Sequence, residues 1–472
     1  MKNLIITLTL SVCTTIICFG QNFGKIDSIT TNLQEKYNLK GVGIVAVQGN
    51  KIIYQKTFGY ANKTNLFTDS TAIYIASNTK AFIGLSLSKL AFEKKINYSD
   101  PITKYIPSSY FPPQIEAEKI TIRNLTQHTH GLSNDPMVFR TAYSGEFPSD
   151  LRELLKFTVY RQDTLSYDFK YSNLGYLLGG IIIEEVTGKN WKDYVDENIF
   201  DPIGMLETSS RINFKQSIEA MPFEYYSDES ISSRKSENTL HAAGGIYSTL
   251  GDMAKWLRIF TDDKQKVFSS VLMTEYLDSR TSVGNRMGPF TMDEYGNGWI
   301  YGTLMGEKLF FHFGSFPGYE SIMSFNYEKK TGIFVFVNER LGGQRIAAML
   351  TAYFYLVANE DLEADEKIKM FSQFIDPLYS KIKPERTIFT YQNTDELTGT
   401  YFSPEYGHLI IDKTSNGFTF SLGRLTSLAY LDTENNGILI EWTPGITEHF
   451  TILKDNKAVK LIYGEYGEFL KQ

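Results

Sequence analysis

Cysteine is almost absent from this chain. Its 472 residues include two, Cys13 and Cys18, both in the N-terminal apolar stretch. If that stretch is removed, no thiol remains, so neither a disulfide framework nor a cysteine-bound metal can hold the fold. Stability must then come from a core. Basic clusters are missing too. The 47 Lys and Arg are outnumbered by 54 Asp and Glu, the net charge is −7, and no Lys/Arg stripe occurs. Nucleic acid and anionic membrane are therefore poor partners. Long apolar runs are confined to the N-terminus. The richest later one, Leu174 to Ile183, is brief and ends in Glu184-Glu185, so no stable membrane insertion is expected. Fixed-period repeats and low-complexity segments are also missing. At 42% apolar and 14% aromatic residues, the chain can bury a large core.

The first 20 residues read as an export signal. Lys2 supplies a positive start, Leu4 to Ile17 an apolar stretch, and Cys18-Phe19-Gly20 a small-x-small site before Gln21. The bulky Ile17 before Cys18 disfavours lipidation. Cleavage near Gly20 is expected, giving a periplasmic or secreted protein.

From residue 21 to 360 the pattern mixes strands and helices. Val42 to Val47 and Lys51 to Phe58 read as two strands around a Gly49-Asn50 turn. Helical patterns follow at Lys80 to Lys94, taken as amphipathic, and at Leu174 to Val186 and Leu250 to Phe260. Leu309 to Phe313, Ser321 to Tyr327 and Ile333 to Asn338 read as antiparallel strands. Residues 361–395, charged and interrupted by Pro377 and Pro384, read as a linker with some helix. From 396 to 472 short alternating runs such as Leu409 to Asp412, Phe418 to Leu422 and Ile438 to Trp442 are punctuated by Asn416-Gly417 and Asn436-Gly437. That texture predicts a small antiparallel barrel or sandwich.

Two short patterns could carry chemistry. In Ser77-Asn78-Thr79-Lys80, at the entry to a helix, the lysine three residues on shares the serine's face. A desolvated amine there can take the hydroxyl proton, and the helix N-terminus favours developing negative charge. In Tyr171-Ser172-Asn173, a tyrosine can carry a proton if cations lower its pKa, and an amide can hold a substrate carbonyl. Both patterns are cheap. S-x-x-K recurs at Ser86/Lys89, Ser232/Lys235 and Ser380/Lys383, and Y-x-N at Tyr60, Tyr295 and Tyr391.

Order and surroundings carry more weight. Tyr74-Ile75-Ala76-Ser77-Asn78-Thr79-Lys80 is followed by Leu125-Thr126-Gln127-His128-Thr129-His130-Gly131-Leu132 and Tyr171-Ser172-Asn173-Leu174-Gly175-Tyr176. Phe200-Asp201-Pro202-Ile203-Gly204-Met205, Ala243-Gly244-Gly245-Ile246-Tyr247-Ser248-Thr249 and His312-Phe313-Gly314-Ser315-Phe316-Pro317-Gly318 then come in turn. In this order the segments resemble the serine β-lactamase-related family of class C β-lactamases, D-Ala-D-Ala carboxypeptidases, D-aminopeptidases and esterases. The resemblance implies a mixed α/β (α+β) catalytic domain, an antiparallel sheet plus a helical lobe. The segment after Leu397 resembles the lipocalin-like domain of some members. The family resemblance further implies Ser77 as acylated nucleophile, Lys80 and Tyr171 as proton shuttle, and Asn173 as substrate-orienting amide. The Ser77 and Ser315 backbone N–H groups would form an oxyanion hole. No cofactor or metal is implied.

Many members carry Lys-Thr-Gly on the strand lining the site. Lys330-Thr331-Gly332 matches those letters but falls at a turn between two strands. His312-Phe313-Gly314, which ends an apolar strand, is taken instead, with Phe313 and Gly314 as substrate-binding positions. A histidine is mostly neutral near pH 7 and Phe313 has no hydroxyl, so carboxylate recognition weakens there. Esters, amides or D-amino-acid derivatives of small-molecule or cell-envelope origin become the expected substrates. The alternatives are a β-lactamase or D-alanyl-D-alanine carboxypeptidase, and a non-catalytic protein binding a cell-surface polymer.

The other conspicuous residues have plainer readings. His128 and His130 belong to a structural loop near the site, too few ligands for zinc. His241 is a lesser candidate for substrate contact, and His408 and His449 are ordinary surface or satisfied residues. Tyr295-Gly296-Asn297-Gly298-Trp299 is either cleft wall or a packed strand. Gly244 and Gly245 permit close packing.

Overall fold

The computed structural model describes residues 23–212, 218–223, 234–380, 385–433, 437–443, 446–455, 458–464 and 467–472. The expected signal peptide and both cysteines lie outside the described residues, as do Ser232, Lys383, Pro384 and Asn436.

The larger unit is built on one antiparallel sheet. Its strands are β1 (Gly41–Gln48), β2 (Lys51–Gly59), β3 (Thr281–Met287), β4 (Phe290–Gly296), β5 (Trp299–Leu304), β6 (Glu307–Phe316), β7 (Tyr319–Asn326) and β8 (Thr331–Val337). They run in the order β2-β1-β8-β7-β6-β5-β4-β3, so both ends of the unit meet in one sheet. The main helices are α1 (Gly24–Tyr37), α2 (Thr79–Phe92), α3 (Asn173–Thr187), α4 (Leu250–Thr261), α5 (Gly343–Ala358) and α6 (Ala364–Tyr379). Helices cover both faces. On β7 Ser324 Oγ lies 3.1 Å from Tyr355 Oη of α5, while its neighbour Phe325 stacks on Phe260 of α4 at 4.4 Å. That double cover explains why β7 and β8 are continuously buried along their length rather than alternating.

Two expectations are corrected here. Helix α2 is not amphipathic, because every residue from Thr79 to Ser88 is buried. Phe82 stacks on Trp256 of α4 at 4.1 Å, Ile83 and Leu87 meet Gly179 of α3, and Gly84 lies against the Asn297 backbone. A helix packed on all sides carries apolar residues all round. The stretch expected as linker is also shorter, since α6 sends Ala364, Ile368, Phe371 and Ile375 into the larger unit's core.

The C-terminal unit is a closed barrel of eight consecutive antiparallel strands, from Gly399–Ser403 to Gly467–Lys471. Tyr401, Leu409, Ile411, Phe418, Phe420, Phe450 and Phe469 fill it. Closure removes the sheet edges that an isolated meander would expose. The barrel rests on the helical lobe. Arg424 N–H donates to Ser144 O (3.0 Å), Arg140 donates to the carbonyls of Pro404 and Glu405 (3.4 Å each), and His408 Nδ1 meets Glu146 Oε1 at 2.6 Å. Among the described residues no helix is long and apolar enough to cross a membrane.

Candidate active site

The turn carrying Ser77 is held from two sides. Ala76, just before it, has φ +46°, a region that non-glycine residues seldom occupy. Surrounding contacts enforce this conformation. Ile75 N–H donates to Ile246 O (3.0 Å), and Ile246 N–H donates to Thr79 Oγ1 (3.2 Å). On the other side Asn78 Nδ2 donates to Ser321 Oγ of β7 at 2.8 Å. Strand β5 leaves β6 after Phe311, so the β6 edge from His312 onward is open to this turn. Gly314 makes the approach possible, for a Cβ there would stand 2.7 Å from Asn78 Nδ2 and closer still to Ile75 O. Within the turn, Ser77 is the residue that solvent reaches.

Lys80 lies one helical turn on, fully buried. Its Nζ stands 3.0 Å from Ser77 Oγ and donates to Asn173 Oδ1 (2.8 Å) and Ala243 O (2.7 Å). Burial pushes its pKa well below the ordinary lysine value. A neutral amine has two N–H groups, and Asn173 and Ala243 accept both. The lone pair is left facing the serine hydroxyl, which is the arrangement a base needs.

Tyr171 also reaches this point. It hydrogen-bonds Ser77, and Lys80 Nζ lies 4.9 Å from its ring centroid. The residue is 41% exposed, but its hydroxyl end is turned inward, and burial raises its pKa. Desolvation outweighs the lowering by the Ser77 hydrogen bond, so the condition that cations lower this pKa is not met and the phenol keeps its proton. Asn173 begins α3, whose preceding residue Ser172 caps it by accepting from Leu174 N–H (3.2 Å).

His312 is buried on β6. Its Nδ1 lies 2.8 Å from Phe313 O, a carbonyl that only accepts, so Nδ1 carries the proton. Its Nε2 then accepts from Tyr295 Oη at 3.2 Å. Burial first, with nearby Lys80 adding, lowers its pKa to about 3. The imidazole is neutral, both nitrogens are engaged, and its ring lies 6.1 Å from that of Tyr171. Phe313 does not join it. Side chains alternate along a strand, and the Phe313 ring turns to the opposite face, onto Phe290 (5.1 Å) and Phe311 (5.5 Å). Its expected substrate contact through the side chain is corrected on that ground. Ser315 is exposed at the cleft, and its hydroxyl is bonded by buried Glu320 across the β6–β7 pair. Lys330 stands at the β7–β8 turn, paired with Asp263 at 2.8 Å, away from the cleft.

The plainer readings resolve as follows. The His128 ring packs on Tyr171 and Tyr295, each at 4.5 Å, and its Nδ1 accepts from Ser172 N–H (3.3 Å). His130 Nδ1 accepts from Leu132 N–H (3.1 Å), a loop-internal bond. His241 is buried behind Gly244. His449 Nδ1 pairs with Asp432 at 2.5 Å within the barrel. Tyr295 is fully buried behind His312. Sequence reasoning missed Ala243, whose carbonyl holds Lys80, and Lys235, which it met only as a spurious S-x-x-K partner. A carbonyl leaves no residue-type signal.

A family model described as Beta-lactamase matches residues 26–355. Protein flp of Staphylococcus aureus (strain COL) is 27% identical over 320 residues, 66% of this chain. The chain spans 62% of the length of that curated relative. Among solved structures, the octameric penicillin-binding protein homologue from Pyrococcus abyssi superposes with a TM-score of 0.61 at 21% identity, covering 95% of this chain and 99% of that one. That coverage includes the barrel. D-amino acid amidase from Ochrobactrum anthropi SV3 gives 0.58 at 22% identity over 73% of this chain and 99% of its own. These structures share the fold.

Proposed function

Because the chain belongs to the Beta-lactamase family, whose members are serine hydrolases, we propose that it hydrolyses an ester or amide through an acyl-enzyme on Ser77. The observation that carries this reading is the Lys80 amine: buried, with no carboxylate partner among the described residues, and 3.0 Å from Ser77 Oγ. Ser77 Oγ attacks the substrate carbonyl as its proton passes to Lys80 Nζ. The backbone N–H groups of Ser77 and Ser315 take the developing oxyanion. Tyr171, still protonated, gives its proton to the departing group and recovers one from Lys80. Water then repeats the sequence on the acyl group and frees Ser77. Asn173 holds the amine in place and offers its N–H2 to the acyl carbonyl side.

Neutral His312, with both nitrogens engaged, offers no charge to a substrate carboxylate. This supports esters, amides and D-amino-acid derivatives over penicillins or D-alanyl-D-alanine. The fold shared with D-amino acid amidase makes a D-amino-acid amide the first natural-type substrate to try. Export with cleavage near Gly20 is part of the proposal and rests on residues 1–20 alone.

The test is intact-mass analysis after treatment with a fluorophosphonate, run beside p-nitrophenyl ester turnover. One adduct on Ser77, and loss of both signals in Ser77→Ala, is the expected result. An unmodified protein without turnover would favour the polymer-binding alternative, and fast nitrocefin hydrolysis the β-lactamase one.

A further inference from the structure

Lys235 is a second buried amine near the cleft. It is 2% exposed, and its Nζ donates to Ala142 O at 2.6 Å. The amine nitrogen lies 3.5 Å from the Phe316 ring centroid, with the Tyr74 and Tyr143 rings at 5.1 and 5.7 Å. Among the described residues no carboxylate pairs with it. Glu219, on the same side of the cleft, is taken by Arg234 at 2.6 Å and by Tyr247 Oη at 2.7 Å. A second cation faces it, Arg424 of the barrel, which enters only as a repelling charge. An isolated buried ammonium is costly unless something pairs with it, so burial first, and Arg424 second, hold this amine well below the ordinary lysine pKa and favour its neutral form until an anion arrives.

The position of this amine along β6 gives it meaning. Phe316 follows Ser315 on the strand, while His312 and Tyr171 stand on the other side of Ser315. Tyr171 is the proton donor for the leaving group, so the leaving group extends toward that end. The acyl substituent then runs the other way, past Ser315 toward Phe316. Tyr74 links the two regions: its ring meets that of Phe316 at 5.7 Å, and it is three residues before Ser77.

We propose that Lys235 is the base of an anion-binding subsite at the acyl end of the cleft, selecting substrates whose acyl half carries a carboxylate. The aromatic rings of Tyr74, Tyr143 and Phe316 enclose the acyl chain, and the amine, taking up a proton from solvent as the anion arrives, holds its terminal carboxylate as an ion pair. This rests on the acyl-enzyme reading of Ser77, and the test separates the two.

The p-nitrophenyl monoester of adipic acid and p-nitrophenyl hexanoate differ by a carboxylate in place of a methyl group. In the wild-type protein kcat/KM should favour the adipate ester. In Lys235→Met the adipate-to-hexanoate ratio should fall by about tenfold or more, the size of one charge-assisted hydrogen bond. Lys235→Arg should restore part of it. A wild-type preference for hexanoate, or a ratio that Lys235→Met leaves within about twofold, would overturn the subsite. If Lys235→Met fails to fold, the wild-type and Lys235→Arg ratios decide alone. Turnover that survives Ser77→Ala would sink the acyl-enzyme reading instead. The subsite is then judged by calorimetric titration of adipate into wild type and Lys235→Arg, and absence of binding rejects it.

Discussion

Tyr295 Oη stands 3.2 Å from His312 Nε2 and donates to it, which fixes the imidazole as the Nδ1–H tautomer. The bond is buried, and neither nitrogen is left for a proton transfer to substrate. His312 thus acts as a neutral wall against Tyr171. Tyr295→Phe should lower kcat by about two- to tenfold, the worth of one neutral hydrogen bond, with KM changing less. Steady-state kinetics on a p-nitrophenyl ester checks this. A loss of several hundredfold would mean that the pair carries protons after all.

The pH dependence of turnover follows from the same neighbours. In the proposed mechanism Lys80 must be neutral to accept the Ser77 proton, so activity should fall as pH drops through its lowered pKa. The His312 pKa is lowered to about 3 and that of Tyr171 is raised above the ordinary tyrosine value, so neither group titrates near neutral pH. A kcat/KM profile should show one acid limb, and His312→Gln should keep that limb in place even where its rate is lower. A limb that disappears in His312→Gln would reassign it to the imidazole.

Lys80 also costs stability. The folded state favours the neutral amine, whereas in the unfolded chain lysine stays protonated up to about pH 10.5. Between those two pKa values the unfolded state binds one more proton, so the fold is penalised there and gains stability as pH rises. Lys80→Met should therefore raise the melting temperature at pH 7, by an amount equivalent to about 1–2 kcal/mol, while abolishing turnover. Melts from pH 7 to 10 should show the advantage of the variant shrinking. A constant gap would assign the effect to packing alone.

Much of this was legible in the sequence, for identifiable reasons. The order and flanking residues of Ser77, Lys80, Tyr171, Asn173 and His312 single them out as candidates where each short pattern does not. They converge because α2, α3 and the open end of β6 share one crevice. The Lys330 turn is separable from His312 because Lys330-Thr331-Gly332 falls between two strands, whereas His312 ends an apolar strand that leads into Ser315. What stayed hidden depends on neighbours remote in the chain. The all-round burial of α2 comes from α3, α4 and the Asn297 turn at once. The packing of α6 onto α5 could not be read from a stretch rich in charge and proline. A motif names Phe313 without saying which face of the strand its ring takes. Lys235 is one more chance S-x-x-K partner in the sequence, and only the fold brings Phe316 and Ala142 around it.

Gly314 sets the distance between the Ser315 N–H and the Ser77 turn, and it has no room for a methyl group. A Cβ would stand 2.7 Å from Asn78 Nδ2 and closer to both Ile75 O and Ser321 Oγ. Ile75 O is backbone and cannot rotate away, so β6 itself would have to retreat. Gly314→Ala should cost about 1–3 kcal/mol of stability, as overpacking does, measured by urea unfolding. Turnover should fall by roughly 100-fold, since the two proposed oxyanion donors would part by a fraction of an ångström or more. A companion change separates backbone from side-chain crowding. Ser321→Gly removes the hydroxyl that the added methyl group would strike but leaves Ile75 O in place, so the double variant should recover little activity. Near-complete rescue would show that the strand was never held against the Ile75 carbonyl, and the proposed oxyanion geometry would have to be rebuilt.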